Sequence, residues 1–229
     1  MADYSVLIPV YNEADILEAK LRELSAYLDM ACPDYEIIVC SNGSTDRTDE
    51  IGRGLREPRI RFISIPDRGV GRAFKRMVAE AKTAKLVSID VDLTSDLNFI
   101  PQCVKLLDEF NIVIGSKNKG VQDRKWYRLF ISGVFIALVR ALLGLGHDDY
   151  SIGTKGWRRS DILGYVDGID YGSSYVIELV YFVEKKDGKK VAETPVNCND
   201  KRPSKFNLVH EIFYRFRNLV ALWWRVKTG

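Results

Sequence analysis

Short, unbroken apolar runs alternate along the chain with longer stretches in which apolar residues recur every three or four positions. The short runs are β-branched and bounded by Gly, Pro, Asn or Asp, which predicts buried strands. They cover Tyr4 to Pro9, with the proline as the stop, then Tyr35 to Cys40, Ile60 to Ile65, Lys85 to Leu93, Asn111 to Gly115 and Lys190 to Val196. The periodic stretches predict amphipathic helices. One carries Leu17, Leu21, Leu24 and Leu28 inward; a short one carries Ile51 and Leu55, with Ser44 or Thr45 as its N-cap. A third turns Ala73, Met77, Val78 and Ala81 inward, a fourth runs from Phe99 to Phe110 with Val104, Leu107 and Phe110 inward, and a fifth spans Tyr175 to Lys186. Strand and helix alternate three times within roughly the first ninety residues, predicting a mostly parallel sheet with right-handed crossovers.

Two later segments are apolar without fitting this alternation. Trp126 to Gly146 is long and apolar, but Arg140 interrupts it and Arg124, Lys125 and Arg128 front it. A spanning helix wants about 20 uninterrupted apolar residues, so this one is marginal and a core helix is the alternative. In the tail, Val209, Ile212, Phe213, Phe216, Leu219, Val220 and Trp223 fall at helical spacing, beside Trp224 and the cations Arg215, Arg217, Arg225 and Lys227. That pattern suits either packing or a helix lying in a membrane interface.

Charge sharpens the picture. The net charge of +3 hides two basic segments: residues 111–160 hold nine Lys/Arg against three Asp/Glu, and residues 201–229 hold seven against one. Basic stretches on an otherwise acidic chain suggest an anionic partner, a phosphate or a lipid surface; no nucleic-acid reading motif accompanies them. Four cysteines lack CxxC spacing and read as reduced packing residues, and two histidines are too few for a histidine metal site or triad. The N-terminus enters a strand almost at once, predicting no leader peptide and a cytoplasmic location.

The chemistry concentrates where the fourth strand ends, at Asp90-Val91-Asp92. Ligands of open α/β sheets bind beyond the carboxyl ends of the strands. Two carboxylates there repel unless a cation neutralises them, and Mg²⁺ or Mn²⁺ with phosphate oxygens completing its shell is the natural partner. Asp-x-Asp also arises by chance at solvated turns, and the spacing alone favours that reading. Three further loops weigh in: Pro9-Val10-Tyr11-Asn12-Glu13, Asn42-Gly43-Ser44-Thr45-Asp46 and Gly69-Val70-Gly71-Arg72-Ala73.

In this order the four loops resemble the nucleotide-sugar-binding half of family-2 inverting glycosyltransferases, over roughly the first 120 residues. The second half is similar to polyprenyl-phosphate sugar synthases such as dolichol-phosphate mannose synthase. The stretches concerned are Asp149 to Lys155, Glu178-Leu179, Glu193-Thr194-Pro195-Val196 and Arg202-Pro203-Ser204-Lys205. The resemblance implies an A-type glycosyltransferase fold, a Rossmann-like, mostly parallel sheet flanked by helices, with an amphipathic C-terminal helix. It divides the chain into a catalytic domain over 1–205, with a nucleotide-sugar half (1–120) and an acceptor half (121–205), and a helix over 206–229. It implies transfer of a hexose, mannose or glucose, from GDP or UDP to a polyprenyl or dolichyl phosphate at the cytoplasmic membrane face. A soluble or glycan acceptor, or a degenerate nucleotide-binding module, is the alternative.

The roles it implies are these. Pro9, Tyr11 and Glu13 surround base and ribose, joined by Ser41, Asn42, Arg72 and Val91; Gly69 and Gly71 let phosphate approach a helix start. Asp90 reaches the ribose and, with Asp92 and Thr94, surrounds the metal; Lys117 faces diphosphate or acceptor phosphate; Arg202, Lys205 and Arg128 take the acceptor phosphate. Asp92, Lys117 and Arg202 are the expected catalytic groups. Three departures stand out: Ser41 and Asn42 replace the usual aspartates, Thr94 replaces a frequent Gln, and Ser151-Ile152-Gly153-Thr154 alters the Thr-Ser-Gly-Phe core.

Overall fold

A computed structural model describes residues 2–120, 126–198 and 208–228, with backbone only for 126–128 and 208–209. The predicted alternation forms. In chain order the elements are β1 (Tyr4–Val10), α1 (Leu17–Ala31), β2 (Tyr35–Asn42), α2 (Thr48–Gly54), β3 (Ile60–Ile65), α3 (Val70–Glu80), β4 (Lys85–Ser88), α4 (Phe99–Leu106) and β5 (Ile112–Ser116). There follow α5 (Trp126–Leu143), β6 (Lys155–Arg158), a single turn α6 (Arg159–Ile162), α7 (Tyr175–Tyr181), which continues as a π-turn to Lys186, β7 (Val191–Pro195) and α8 (Leu208–Thr228). The strands form one sheet in the order β3-β2-β1-β4-β6-β5-β7. Only β6 runs antiparallel to its neighbours, pairing Ser88 with Lys155 on one side and Ile114 with Lys155 on the other.

Side chains alternate across the sheet and feed two cores. Val6 and Ile8 point to α1 and α4, where Leu17, Leu21, Leu24, Leu28, Ile100 and Cys103 close the layer. Leu7 and Ile38 point to α3, α5, α7 and α8. There Phe74 stacks on Tyr175 with ring centroids 4.6 Å apart and meets the edge of Trp157 at 5.4 Å.

Several expected boundaries move, each for a local reason. Pro9 does not stop β1, which runs on to Val10. The ladder to β4 ends at Leu7 and Ser88, with Ile89 N–H donating to the Leu7 carbonyl at 3.1 Å, so the missing Pro9 N–H falls where no strand asks for it. The fourth strand ends at Ser88 rather than Leu93, because beyond Ser88 the chain leaves the sheet and β6 offers no further partner. Neither Ser44 nor Thr45 caps α2. Asp46 does that work, accepting from the Thr48 N–H at 3.0 Å, while Ser44 and Thr45 bond to neighbouring loops. The strand β6 was not foreseen: four residues reading Lys-Gly-Trp-Arg carry no apolar periodicity.

The apolar segment from Trp126 forms a helix to Leu143, and the tail forms a helix beside it. Phe135 meets Phe216 edge to face at 5.3 Å. Phe135, Val139 and Leu143 are buried, as are Leu219 and Leu222. Phe213 and Val220 share the tail's helical spacing but are exposed, at 72% and 54%, and Phe130 and Trp224 are also open to solvent. No helix among the described residues is long and apolar enough to cross a membrane.

The segment leading into α7 docks on the start of α3. The Tyr171 carbonyl accepts from the Gly71 N–H at 2.9 Å and the Arg72 N–H at 3.3 Å. The tail holds that segment in place. The Asp170 carboxylate accepts from the Gly172 and Ser174 N–H groups, from Asn218 at 3.2 Å and from the Tyr214 hydroxyl. Glu178 accepts from the Asp170 N–H and from Arg225 at 2.8 Å. A Cβ on Gly71 would stand 2.1 Å from the Asp170 carbonyl oxygen. Gly71→Ala in a free helix would gain up to about 1 kcal/mol of helix propensity. Here the backbone clash dominates, and a net loss of about 1–3 kcal/mol is expected from the denaturant midpoint. A midpoint at or above the parent's would contradict the docking.

Candidate active site

Because β1, β2, β3, β4, β5 and β7 run parallel and β6 enters from the opposite direction, the loops that leave the parallel strands and the one that enters β6 gather along one edge of the sheet. The Asp90–Asp92 turn lies there, together with the loops after Val10, Asn42 and Ile65, Lys117 after β5, and the 149–154 loop that leads into β6. Among the described residues two non-glycine residues hold positive φ, Asn12 at +55° and Leu93 at +53°, and both belong to this edge. Such conformations persist only where surrounding bonds enforce them, and they concentrate at functional sites.

The first two loops are laced together. The Asn12 side-chain oxygen accepts from the Thr45 N–H at 2.7 Å, and the Asn12 N–H donates to the Ser44 hydroxyl at 3.1 Å. The Glu13 N–H donates to the Thr48 hydroxyl at 2.8 Å, and its carbonyl accepts the Leu17 N–H at the start of α1. Ser41 is fully buried and donates to Ser44; Asn42 donates to the Val10 carbonyl at 2.8 Å and accepts from the Gly69 N–H at 3.0 Å. Both polar replacements therefore tie loops together from below. Tyr11 lies nearer the surface with the Arg68 guanidinium over its ring at 4.1 Å.

The glycine turn departs from its expected use. The Tyr171 carbonyl takes the N–H groups of Gly71 and Arg72, and a Cβ on Gly69 would stand 2.5 Å from that same oxygen. The close approach that these glycines allow is made by the protein's own backbone, so the start of α3 is already capped. Arg72 stacks on the Tyr171 ring at 4.0 Å and pairs with Asp67 at 3.1 Å.

At the acidic turn, Val91 is buried and anchors the loop, while Asp90 and Asp92 flank it. Thr94 donates to Oδ1 of Asp92 from its N–H and its hydroxyl, both at 3.1 Å. These two bonds fix the rotation of the Asp92 carboxylate and keep Thr94 beside it. Asp90 opens to solvent on one side and is packed against Gly153 on the other. Lost hydration raises its pKa first and the charge of Asp92 next, while Lys117, Lys155 and the Gly153 N–H draw it back down.

Two groups that sequence patterning did not single out complete the cluster. Asp149 is buried and accepts from the Ser151 N–H and hydroxyl at 2.8 Å each, from the Ile152 N–H, and through Oδ2 from the Lys117 N–H at 3.2 Å. Burial acts to raise its pKa, but Lys117, Lys155 and the Ser151 donors outweigh burial and hold it below the ordinary value. Lys155 is fully buried, and burial pushes its pKa down to about 8 against the pull of Asp149. Neither residue carries a periodicity signal; only the resemblance of the 149–155 stretch pointed to them.

Among the described residues no three His, Cys, Asp or Glu side chains converge as a complete metal shell. Asp90 and Asp92 offer hard carboxylate oxygens at a turn where like charges crowd, which fits Mg²⁺ or Mn²⁺ sharing its shell with substrate phosphates. Arg202 and Lys205 lie outside the described residues, and Arg128 is placed only by its backbone at the start of α5.

The chain matches the model of "Glycosyl transferase family 2" over residues 5–163. It is 29% identical over 233 residues to "Glycosyltransferase AglD" of Haloferax volcanii, covering 98% of this chain and 37% of that protein. It is 31% identical to "Undecaprenyl-phosphate 4-deoxy-4-formamido-L-arabinose transferase" of Edwardsiella ictaluri, covering 69% of this chain and 50% of that one. The chain thus spans half or less of these curated relatives. Among solved structures it superposes on Mycobacterium tuberculosis glucosyl-3-phosphoglycerate synthase in complex with Mn²⁺, UDP and phosphoglyceric acid. The TM-score is 0.69 at 21% identity, over 96% of this chain and 77% of that one, a likeness of fold. The A-type glycosyltransferase architecture and the family model agree, and the chain belongs to glycosyl transferase family 2.

Proposed function

We propose that this chain transfers a hexose, mannose or glucose, from a GDP or UDP sugar to a polyprenyl or dolichyl phosphate, with inversion and with Mg²⁺ or Mn²⁺ bound at Asp90 and Asp92. The observation that carries this reading is the meeting of Asp90, Asp92 and Lys117 at the carboxyl edge of a parallel sheet in a family-2 chain. The printed names of the undecaprenyl-phosphate transferases support the class of acceptor. Residues 1–120 would hold the donor and 121–205 the acceptor, with 206–229 packed alongside.

In this reading Tyr11 and Glu13 bind base and ribose in front of the Ser41–Asn42 ties, and Arg72 lies on the same side. Lys117 meets phosphate. The divalent ion would neutralise charge on the departing diphosphate. An acceptor phosphate oxygen attacks the anomeric carbon as the bond to the diphosphate breaks on the opposite face, which inverts the centre. A phosphate monoester has a second pKa of about 6, so the nucleophile is ionised at neutral pH and needs no strong general base. Arg202 and Lys205 would grip that phosphate.

Asp92→Asn is expected to abolish transfer and metal-dependent nucleotide binding while the thermal transition stays intact; turnover near the parent's would remove the metal assignment. Arg202→Ala should cost about 1.5–3 kcal/mol in acceptor efficiency, roughly 10- to 150-fold in kcat/KM for polyprenyl phosphate, with nucleotide affinity unchanged. Equal losses for donor and acceptor would place Arg202 on the donor diphosphate, and transfer to a soluble acceptor in preference to lipid would displace the polyprenyl reading.

The exposed Phe130, Phe213, Val220 and Trp224, with Arg217 and Lys227 on the same tail, support peripheral contact with a membrane surface. Replacing Phe213 and Trp224 together with Ser should reduce sedimentation with anionic liposomes and leave folding unchanged, since neither side chain lies in the core. Equal sedimentation of variant and parent would argue against that contact.

A further inference from the structure

Lys155 is among the largest fully buried side chains of the protein. Its ammonium donates to the Ile152 carbonyl at 2.8 Å and to the Gly115 and Thr154 carbonyls at 3.4 Å each. Those oxygens belong to the end of β5, the crest of the 149–154 loop and the mouth of β6. Asp149 anchors the other end of the loop through Ser151, Ile152 and the Lys117 N–H. Gly153 lies between the two anchors. Its carbonyl accepts from the Ser88 hydroxyl at 2.7 Å, and its Cα faces the Asp90 carboxylate. A Cβ at this position would stand 2.4 Å from Oδ1 and 2.7 Å from Oδ2 of Asp90. Gly153 is therefore the seat on which the Asp90 carboxyl rests.

Pairing of β6 does not require the ammonium, because both ladders at Lys155 are backbone to backbone. A buried cation is costly, and an apolar side chain of similar length would fill the space without that cost. What the ammonium adds is one group whose three N–H donors reach three carbonyls, which sets the height of the 152–154 backbone above β5. We infer that Lys155 is a positioning residue for the donor site: by tying the loop down it holds Gly153 against Asp90 and so fixes the direction of that carboxylate. The inference rests on Asp90 belonging to the donor site, as the proposed function has it.

Calorimetric titration of UDP and of GDP in the presence of Mn²⁺ tests both statements separately. The proteins compared are the parent, Asp90→Asn, Lys155→Met, Gly153→Ala and the double variant Asp90→Asn/Lys155→Met, each checked by thermal unfolding. Each single variant is expected to weaken nucleotide binding about tenfold or more, and the double variant no further than Asp90→Asn alone, because Lys155 acts through Asp90. Unchanged affinity in Asp90→Asn would overturn the donor-site reading itself. A loss in Asp90→Asn with parent-like affinity in Lys155→Met, or with additive losses in the double variant, would overturn the role of Lys155 alone. Should Lys155→Met not unfold cooperatively, Gly153→Ala decides. It leaves the ammonium and its three acceptors in place, and parent-like affinity there would overturn the inference.

Discussion

The antiparallel entry of β6 between β4 and β5 is the constraint on which the site depends. A parallel strand in that place would be entered from the far edge of the sheet. An antiparallel one has to be entered from the edge where β4 and β5 end, so the 149–154 loop arrives beside Asp90 and Lys117. The same geometry ends β4 at Ser88, releasing Ile89 to Leu93 into a turn that carries both carboxylates away from the ladder. Acidic turn, buried Asp149 and buried Lys155 follow from one choice of strand direction.

Around that cluster the protein uses short polar side chains as fasteners. Asn12, Ser41, Asn42, Ser44 and Thr48 bond the first loops to one another, and Thr94 orients Asp92. A site built on loops gains precision only when its supporting shell is fixed, because loops left to themselves sample many conformations. The strained backbones of Asn12 and Leu93 sit where these fasteners are densest.

The C-terminal helix is part of this scaffold. Through Tyr214, Asn218 and Arg225 it grips Asp170 and Glu178, and the segment they hold caps α3 with the Tyr171 carbonyl. Its buried face carries Leu219 and Leu222, and its outer face carries Phe213, Val220 and Trp224. Buried and exposed apolar residues are thus divided between two sides of one helix.

The parallel α/β plan was legible in the sequence because its signals are local. Continuous β-branched runs and three-and-four spacing require no knowledge of neighbours, and Ala73, Met77, Val78, Leu107 and the four leucines of α1 all went inward as their spacing predicts. The carboxylates of Asp90 and Asp92 were legible for the same reason, as charges next to an apolar run. Direction, register and docking were not. Lys155 to Arg158 forms a strand only because two ladders wait for it, and Gly69 and Gly71 receive a backbone carbonyl from a segment a hundred residues away. Leu222 goes inward while Phe213 and Val220 stay out because α5 and α7 choose which face of α8 they cover. The sequence by itself determined the elements that carry a local period, β6 apart, and where charge collects at their ends. Tertiary structure decided which elements become neighbours, since burial and pairing energies depend on partners far apart in the chain.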